Sequence, residues 1–165
     1  KLAHGIDERE VVVGSSPVSI GHEETFESDK TSAAQLRPKL LEQADRVASR
    51  LRRAKLRASV VVVKIKYHDF KQLTRRRSLN APSSDGQVIG AAATTLLDGI
   101  EVSDHGRRVR LCGVAVAGLE SRDAPRQLSL YEGQRARGER LGDTLDAIED
   151  RFGTGAIRRG GATDD

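Results

Sequence analysis

RASVVVVKIKYHDFKQLTRRRSL, residues Arg57 to Leu79, reads as two β-strands joined by a tight turn. Between Val60 and Tyr67 the density of β-branched residues is high, and an extended backbone suits side chains whose χ1 is already restricted. A period of two puts Val61, Val63, Ile65 and Tyr67 on one face and Val60, Val62, Lys64 and Lys66 on the other. The first set predicts a core face; the second ends in charge. His68, Asp69 and Phe70 make the turn, and Lys71 to Leu79 returns with Arg75, Arg76 and Arg77 in succession. From Arg46 to Arg77 twelve Lys and Arg residues stand against Asp69 alone. This clustering predicts a cationic sheet surface matched to an anionic partner.

Upstream, Ser32-x-x-Gln35 has capping-box spacing, and Ala33, Leu36, Leu40, Ala44, Val47, Leu51 and Ala54 recur at steps of three and four. They predict an amphipathic helix to about Lys55. Pro38 is tolerated best in a first turn, so the regular helix is expected to begin nearer Arg37. Arg46, Arg50, Arg52 and Arg53 are read as its solvated face. Before it, Pro17 opens the strand VSIGHEETF, with Val18, Ile20 and, after a shift, Phe26 toward the core. Gly21 inside that strand predicts a bulge or a close backbone approach. His22, Glu23 and Glu24 alternate between faces, which favours surface polarity over a catalytic cluster.

Downstream, NAPSSDG is turn chemistry, and a second helix from about Ser84 to Leu97 presents Ile89, Ala92, Ala93, Leu96 and Leu97 on one side. RRVRLCGVAVAGL then makes a last strand, with Cys112, Val114 and Val116 on one face and Gly113, Ala115 and Ala117 on the other. The order β-α-β-β-α-β predicts an α+β fold. Two helices bury their stripes on one face of a four-stranded, largely antiparallel sheet, and the opposite face stays open. Beyond it, Leu141, Leu145, Ile148 and Phe152 share one stripe of a tail helix over Arg135–Phe152.

The 165 residues, 37% hydrophobic and 32% charged with a formal charge of +4, suit one modest core with tails. Cys112 is the only cysteine, so no intramolecular disulfide forms. With no signal peptide and no apolar run near membrane length, a cytoplasmic monomer without membrane attachment is expected. His4, His22, His68 and His105 stand at no ligand spacing to Cys112, so no metal site or cofactor is expected in this chain. The chain begins at Lys1 and contains no methionine, which points to a piece of a longer polypeptide. The expected organisation is a linker from a missing upstream domain over 1–16, a binding domain over 17–119, a second linker over 120–133, and a C-terminal helix with a flexible tail over 134–165.

Several of these blocks, in this order, resemble the little finger of bacterial Y-family translesion DNA polymerases of the DNA polymerase IV type. SIGHEETF and KIKYHDFKQLTRRRSL carry most of the likeness, GRRVRLCGVAVAGL continues it, and RFGTGAIRRG is similar to the end of such a polymerase. The resemblance implies a sheet that grips primer-template duplex DNA through backbone phosphates. Its contacts fall on Ser19, Gly21, His22, Thr74, Arg75, Arg77 and Arg110; Lys64, Lys66 and Arg76 join them as open-face or clustered cations. Strict alternation sends Arg75 and Arg77 to the side of Leu73 and Leu79, so a bulge or an edge position is expected there. QLSLY is similar to the family's sliding-clamp-binding peptide, which assigns Gln127, Leu128, Leu130 and Tyr131 to the clamp, with tyrosine where phenylalanine is usual. Catalysis in the family needs palm carboxylates and Mg²⁺, and nothing in this chain supplies that palm. This chain alone is therefore expected to be no enzyme, while its parent is a DNA-directed DNA polymerase.

Other readings stand beside this one. A catalytically inactive mutagenesis accessory protein could share the same domain. An independent RNA-binding module is disfavoured because the few aromatics, Tyr67, Tyr131, Phe26, Phe70 and Phe152, predict no exposed stacking residues. A small enzyme lacks an acid-base pair, nucleophile or metal cluster in the sequence.

Overall fold

A computed structural model describes residues 1–10, 14, 16–102, 106–125 and 132–157. The central hairpin consists of β2 (Leu56–Tyr67) and β3 (Gln72–Ser83), flanked in the chain by β1 (Ser19–Lys30), α1 (Ala33–Arg53), α2 (Gly86–Asp98) and β4 (Val109–Ser121). All pairings are antiparallel, and the sheet order is β1-β4-β2-β3. The last strand of the chain thus lies in the middle, where its small residues pack between neighbours on both sides.

Alternation along β2 sorts as expected. Val61, Val63 and Ile65 are fully buried and Tyr67 nearly so, beneath Leu36, Leu40, Val47 and Leu51 of α1 and Ile89, Ala93 and Leu97 of α2. Burying each large aliphatic side chain contributes about 1.5–3 kcal/mol, which makes this layer the main source of stability. Cys112, Val114 and Val116 complete it from β4. Gln43 is a polar residue buried against this layer, and its Nε2 donates to the Cys112 carbonyl at 3.2 Å.

Several local expectations are corrected. Val18 is 86% exposed and lies before β1, whereas Ile20 and Phe26 share the core side with no shift between them. Gly21 makes no bulge, since it pairs regularly with Ala115, but the close approach holds, because a Cβ there would stand 3.0 Å from the Ala115 Cβ; the irregularity in β1 comes later, between Thr25 and Lys30. The first helix begins directly after Ser32, with Pro38 inside it. The cap decides this start: Ser32 Oγ accepts from the Gln35 N–H at 3.4 Å, and Gln35 Oε1 accepts from the Thr31 N–H at 2.9 Å. Ala54, read as part of the stripe, is an exposed C-cap.

The third helix, α3 (Glu132–Phe152), starts three residues earlier than its apolar stripe suggests and docks by charge. Asp146 forms a bidentate pair with Arg52, at 2.6 and 2.8 Å, and the two side chains are only 14% and 7% exposed. Glu139 lies 3.2 Å from buried Arg57, Asp143 pairs with Arg122 at 2.9 Å, and Asp150 pairs with Arg53. These four acids recur at helical spacing, so they form one carboxylate stripe facing the domain. Gly142 makes the approach possible, since a Cβ there would stand 2.8 Å from the Arg52 guanidinium. Leu141 and Phe152 are exposed instead. Arg52 is therefore no solvated-face residue, and Arg52, Arg53 and Arg57 are cations that the sheet surface does not have.

Candidate nucleic-acid interface

Cross-strand register turns the open face into four rows. Ser19, Ala117, Val60 and Ser78 form one; Gly21, Ala115, Val62 and Arg76 the next; Glu23, Gly113, Lys64 and Thr74 the third; and Thr25, Leu111, Lys66 and Gln72 the last. No helix covers these rows, because α1 and α2 both pack on the other side. Small residues line the middle strand, and cations stand on β2 and β3. Arg110 is the extra residue of a bulge in β4 opposite Lys66 and Tyr67. Its guanidinium comes to the Lys66 end of the open face, where both approach the Phe70 ring.

The structure divides the predicted contact residues between the two sides of the sheet. Ser19, Gly21, Lys64, Lys66, Thr74, Arg76 and Arg110 serve the open face. His22, Arg75 and Arg77 belong to the other, since His22 pairs with Val114, Arg75 with Val63 and Arg77 with Val61. No bulge interrupts β3 from Leu73 to Ser78; the register shift comes between Ser78 and Ser83. The outer edge strand is what keeps Arg75 and Arg77 in water, even though α2 packs against part of β3. His22 occupies the equivalent place on the opposite edge. Partial burial, and then the charges of Arg46 and Arg50, hold its imidazole below its usual pKa. Arg50 also donates to the Gly21 carbonyl at 2.9 Å.

Two features of the face were not read from the sequence. Lys64 Nζ meets Glu23 Oε2 at 2.7 Å, so an acid stands among the cations. Phe70 is 63% exposed, which corrects the expectation that exposed aromatics are lacking. Lys66, Arg76 and Arg110 have no carboxylate partner within ion-pair distance among the described residues. Cys112 is buried and its thiol is pushed up to about 12, chiefly by that burial, so it is inert packing. Among the described residues no three His, Cys, Asp or Glu side chains gather as metal ligands, and no helix is long and apolar enough to cross a membrane. Gln127, Leu128, Leu130 and Tyr131 lie outside the described residues.

Residues 17–130 match the impB/mucB/samB family C-terminal domain. The chain belongs to this family. It is 38% identical over 158 residues to DNA polymerase IV of Dehalococcoides mccartyi strain 195, covering 96% of this chain and 40% of that polymerase. It is 40% identical over 133 residues to DNA polymerase IV of Alkalilimnicola ehrlichii, covering 79% of this chain and 37% of that one. The chain thus spans about 40% of the length of these curated relatives. Among solved structures, it resembles the little finger domain of polymerase IV in a complex with a β-clamp processivity factor, with a TM-score of 0.51 and 28% identity. That match covers 68% of this chain and 97% of the other. A Y-family polymerase chimera at 19% identity, with a TM-score of 0.55 over 66% of this chain and 30% of the chimera, shares the fold. The four-stranded antiparallel sheet with its helices is the little finger of a Y-family DNA polymerase of the polymerase IV type.

Proposed function

We propose that this little finger grips primer-template duplex DNA through its phosphates and docks its parent, a translesion DNA polymerase, on the replication sliding clamp. The observation that supports the grip is the uncovered face itself. Among the described residues Lys66, Arg76 and Arg110 rise without acidic partners around a floor of Gly113, Ala115 and Ala117 low enough to admit a DNA backbone. Arginine and lysine contacts to phosphate fix register without reading sequence, which suits an enzyme working across damaged bases. Arg75 and Arg77 extend the cationic zone around one margin of the sheet, and Arg46 and Arg50 stand near His22 at the other. Polymerisation and its Mg²⁺ belong to a palm domain of the parent, and the same parent places the domain in the cytoplasm. The four-part division at residues 16, 119 and 133 assigns the clamp peptide to the segment between the sheet and α3.

The test is a titration of the chain with two unrelated duplexes over a salt series. Neutralising about four phosphates gives log K a slope near −3 to −4 against log salt. Equal affinity for both duplexes with that slope is the expected result. A flat salt response, or a preference above about a hundredfold for one duplex, sinks the reading.

A further inference from the structure

The turn of the central hairpin holds a residue that the turn itself does not favour. Phe70 has a φ of 65°, a left-handed conformation that a bulky L-residue adopts at a cost and that glycine or asparagine adopts readily. Nothing in the fold offsets this by burial, because the ring is 63% exposed while neighbouring Tyr67 is 5% exposed. The ring instead stands beside charge. Lys66 Nζ lies 4.9 Å and the Arg110 guanidinium 5.2 Å from its centroid. Lys66 stands in the last row of the open face and Arg110 in the bulge beside it, so the ring sits at the end of the proposed duplex track. Lys71 and Arg107 flank the turn as well, each near Asp69. A protein partner would want apolar neighbours around such a ring, and this one is set among cations.

We propose that Phe70 is a stacking platform for one unpaired nucleobase of a DNA strand leaving the duplex, with Lys66 and Arg110 taking the phosphates on either side of it. An aromatic ring stacks on any base, which keeps the contact independent of sequence. Paired bases inside a duplex are closed to it, so the ligand is the single-stranded continuation. The two cations hold the free ring in place and exchange it for phosphate when the strand arrives. Strain retained at an exposed position is accounted for by this use. The inference rests on the duplex-gripping reading above.

The experiment compares a blunt duplex with the same duplex carrying a short single-stranded overhang that contains 2-aminopurine. The wild-type chain should bind the overhang form about five- to tenfold more tightly and change the probe's fluorescence. Phe70→Ala should lose that preference, a drop of about tenfold, while keeping its affinity for the blunt duplex. Phe70→Trp should retain it. Phe70→Gly is the decisive variant: it relieves the left-handed strain, so the melting temperature should hold or rise while the overhang preference disappears. Retention of the preference in Phe70→Ala and Phe70→Gly overturns the inference, as does a lower melting temperature in Phe70→Gly. A wild-type chain that binds both DNAs equally overturns this inference alone, whereas one that binds neither overturns the duplex reading as well.

Discussion

Glu23 and Lys64 reach each other across an intervening strand, over the bare backbone of Gly113. The contact exists because position 113 has no side chain; a Cβ there would come within 2.7 Å of the Glu23 Cβ. An acid thus neutralises one cation in the middle of the open face. Glu23→Gln should tighten duplex binding severalfold and steepen the salt slope by about 0.9, the share of one further phosphate. The pair is exposed, so stability should change by less than about 1 kcal/mol. Salt titrations and thermal melts of the variant test both halves.

Arg75, Arg76 and Arg77 alternate across the outer strand, so replacing them one at a time reports which side of the edge the DNA backbone follows. Each alanine variant should weaken duplex binding and lower the salt slope by about one, with Arg76 the strongest because it shares the open face with Lys64 and Lys66. All three are exposed, and melting temperatures should stay unchanged. Val63→Ala serves as the contrast. It removes buried volume and should cost about 1–3 kcal/mol of stability.

The Arg52–Asp146 pair makes the docking of α3 sensitive to acid. Burial acts to raise the Asp146 pKa, but the hydrogen bonds and charge of Arg52, helped by Ser49 and Arg53, outweigh it and hold the carboxyl below its ordinary 3.8. A depressed carboxyl stabilises the fold above the unfolded value, and that contribution is lost as pH falls through the folded value. The melting temperature should therefore be level near neutrality and fall once pH drops below about 3.8. Asp146→Asn should cost about 2–4 kcal/mol at neutral pH, by leaving a buried guanidinium without its anion, and should flatten the acid limb. Melts of both proteins across that range are the measurement.

His22 supplies a second pH dependence, of opposite use. Its charged form is disfavoured in the free domain, so folding stability declines as pH falls through the ordinary 6.5, where the unfolded chain takes up the proton more readily. A DNA phosphate beside His22, Arg46 and Arg50 removes that penalty. Duplex binding should accordingly strengthen as pH falls from about 7.5 to about 6, and the gain should be smaller in His22→Gln. Binding isotherms at constant ionic strength decide it. An identical pH response in the variant places the phosphate elsewhere.

Replacing Gln127, Leu130 and Tyr131 together with alanine should abolish binding to the cognate sliding clamp while leaving duplex affinity and melting temperature intact. Three apolar or polar anchors ordering a peptide leave a net affinity in the micromolar range. Calorimetry of the clamp titration beside a thermal melt tests this. Retained clamp binding with a large loss of stability would make those residues core.

Much of the sheet was legible because alternation is a local signal. The valines of β2, the stripe of α1 and the Ser32 cap declare their faces within a few residues of chain. What stayed hidden depends on register between distant strands. Glu23 and Lys64 are 41 positions apart, and nothing near either predicts their meeting. The same holds for α3, where an apolar stripe in the sequence drew the eye and a carboxylate stripe does the docking. Arg52 and Arg57 look like surface charge until the helix that pairs with them is in place. Pro38 misled by the opposite route, because a general penalty was outweighed by specific capping bonds next to it.

The clip between Arg122 and Asp143 joins the residue after β4 to the fourth turn of α3. It holds the two elements on either side of residues 123–131 together as one body. On the proposed docking reading, a partner that seizes the segment between them is held from two sides by the same domain. A single point of attachment would let the domain swing about it; two attachments oppose that swing.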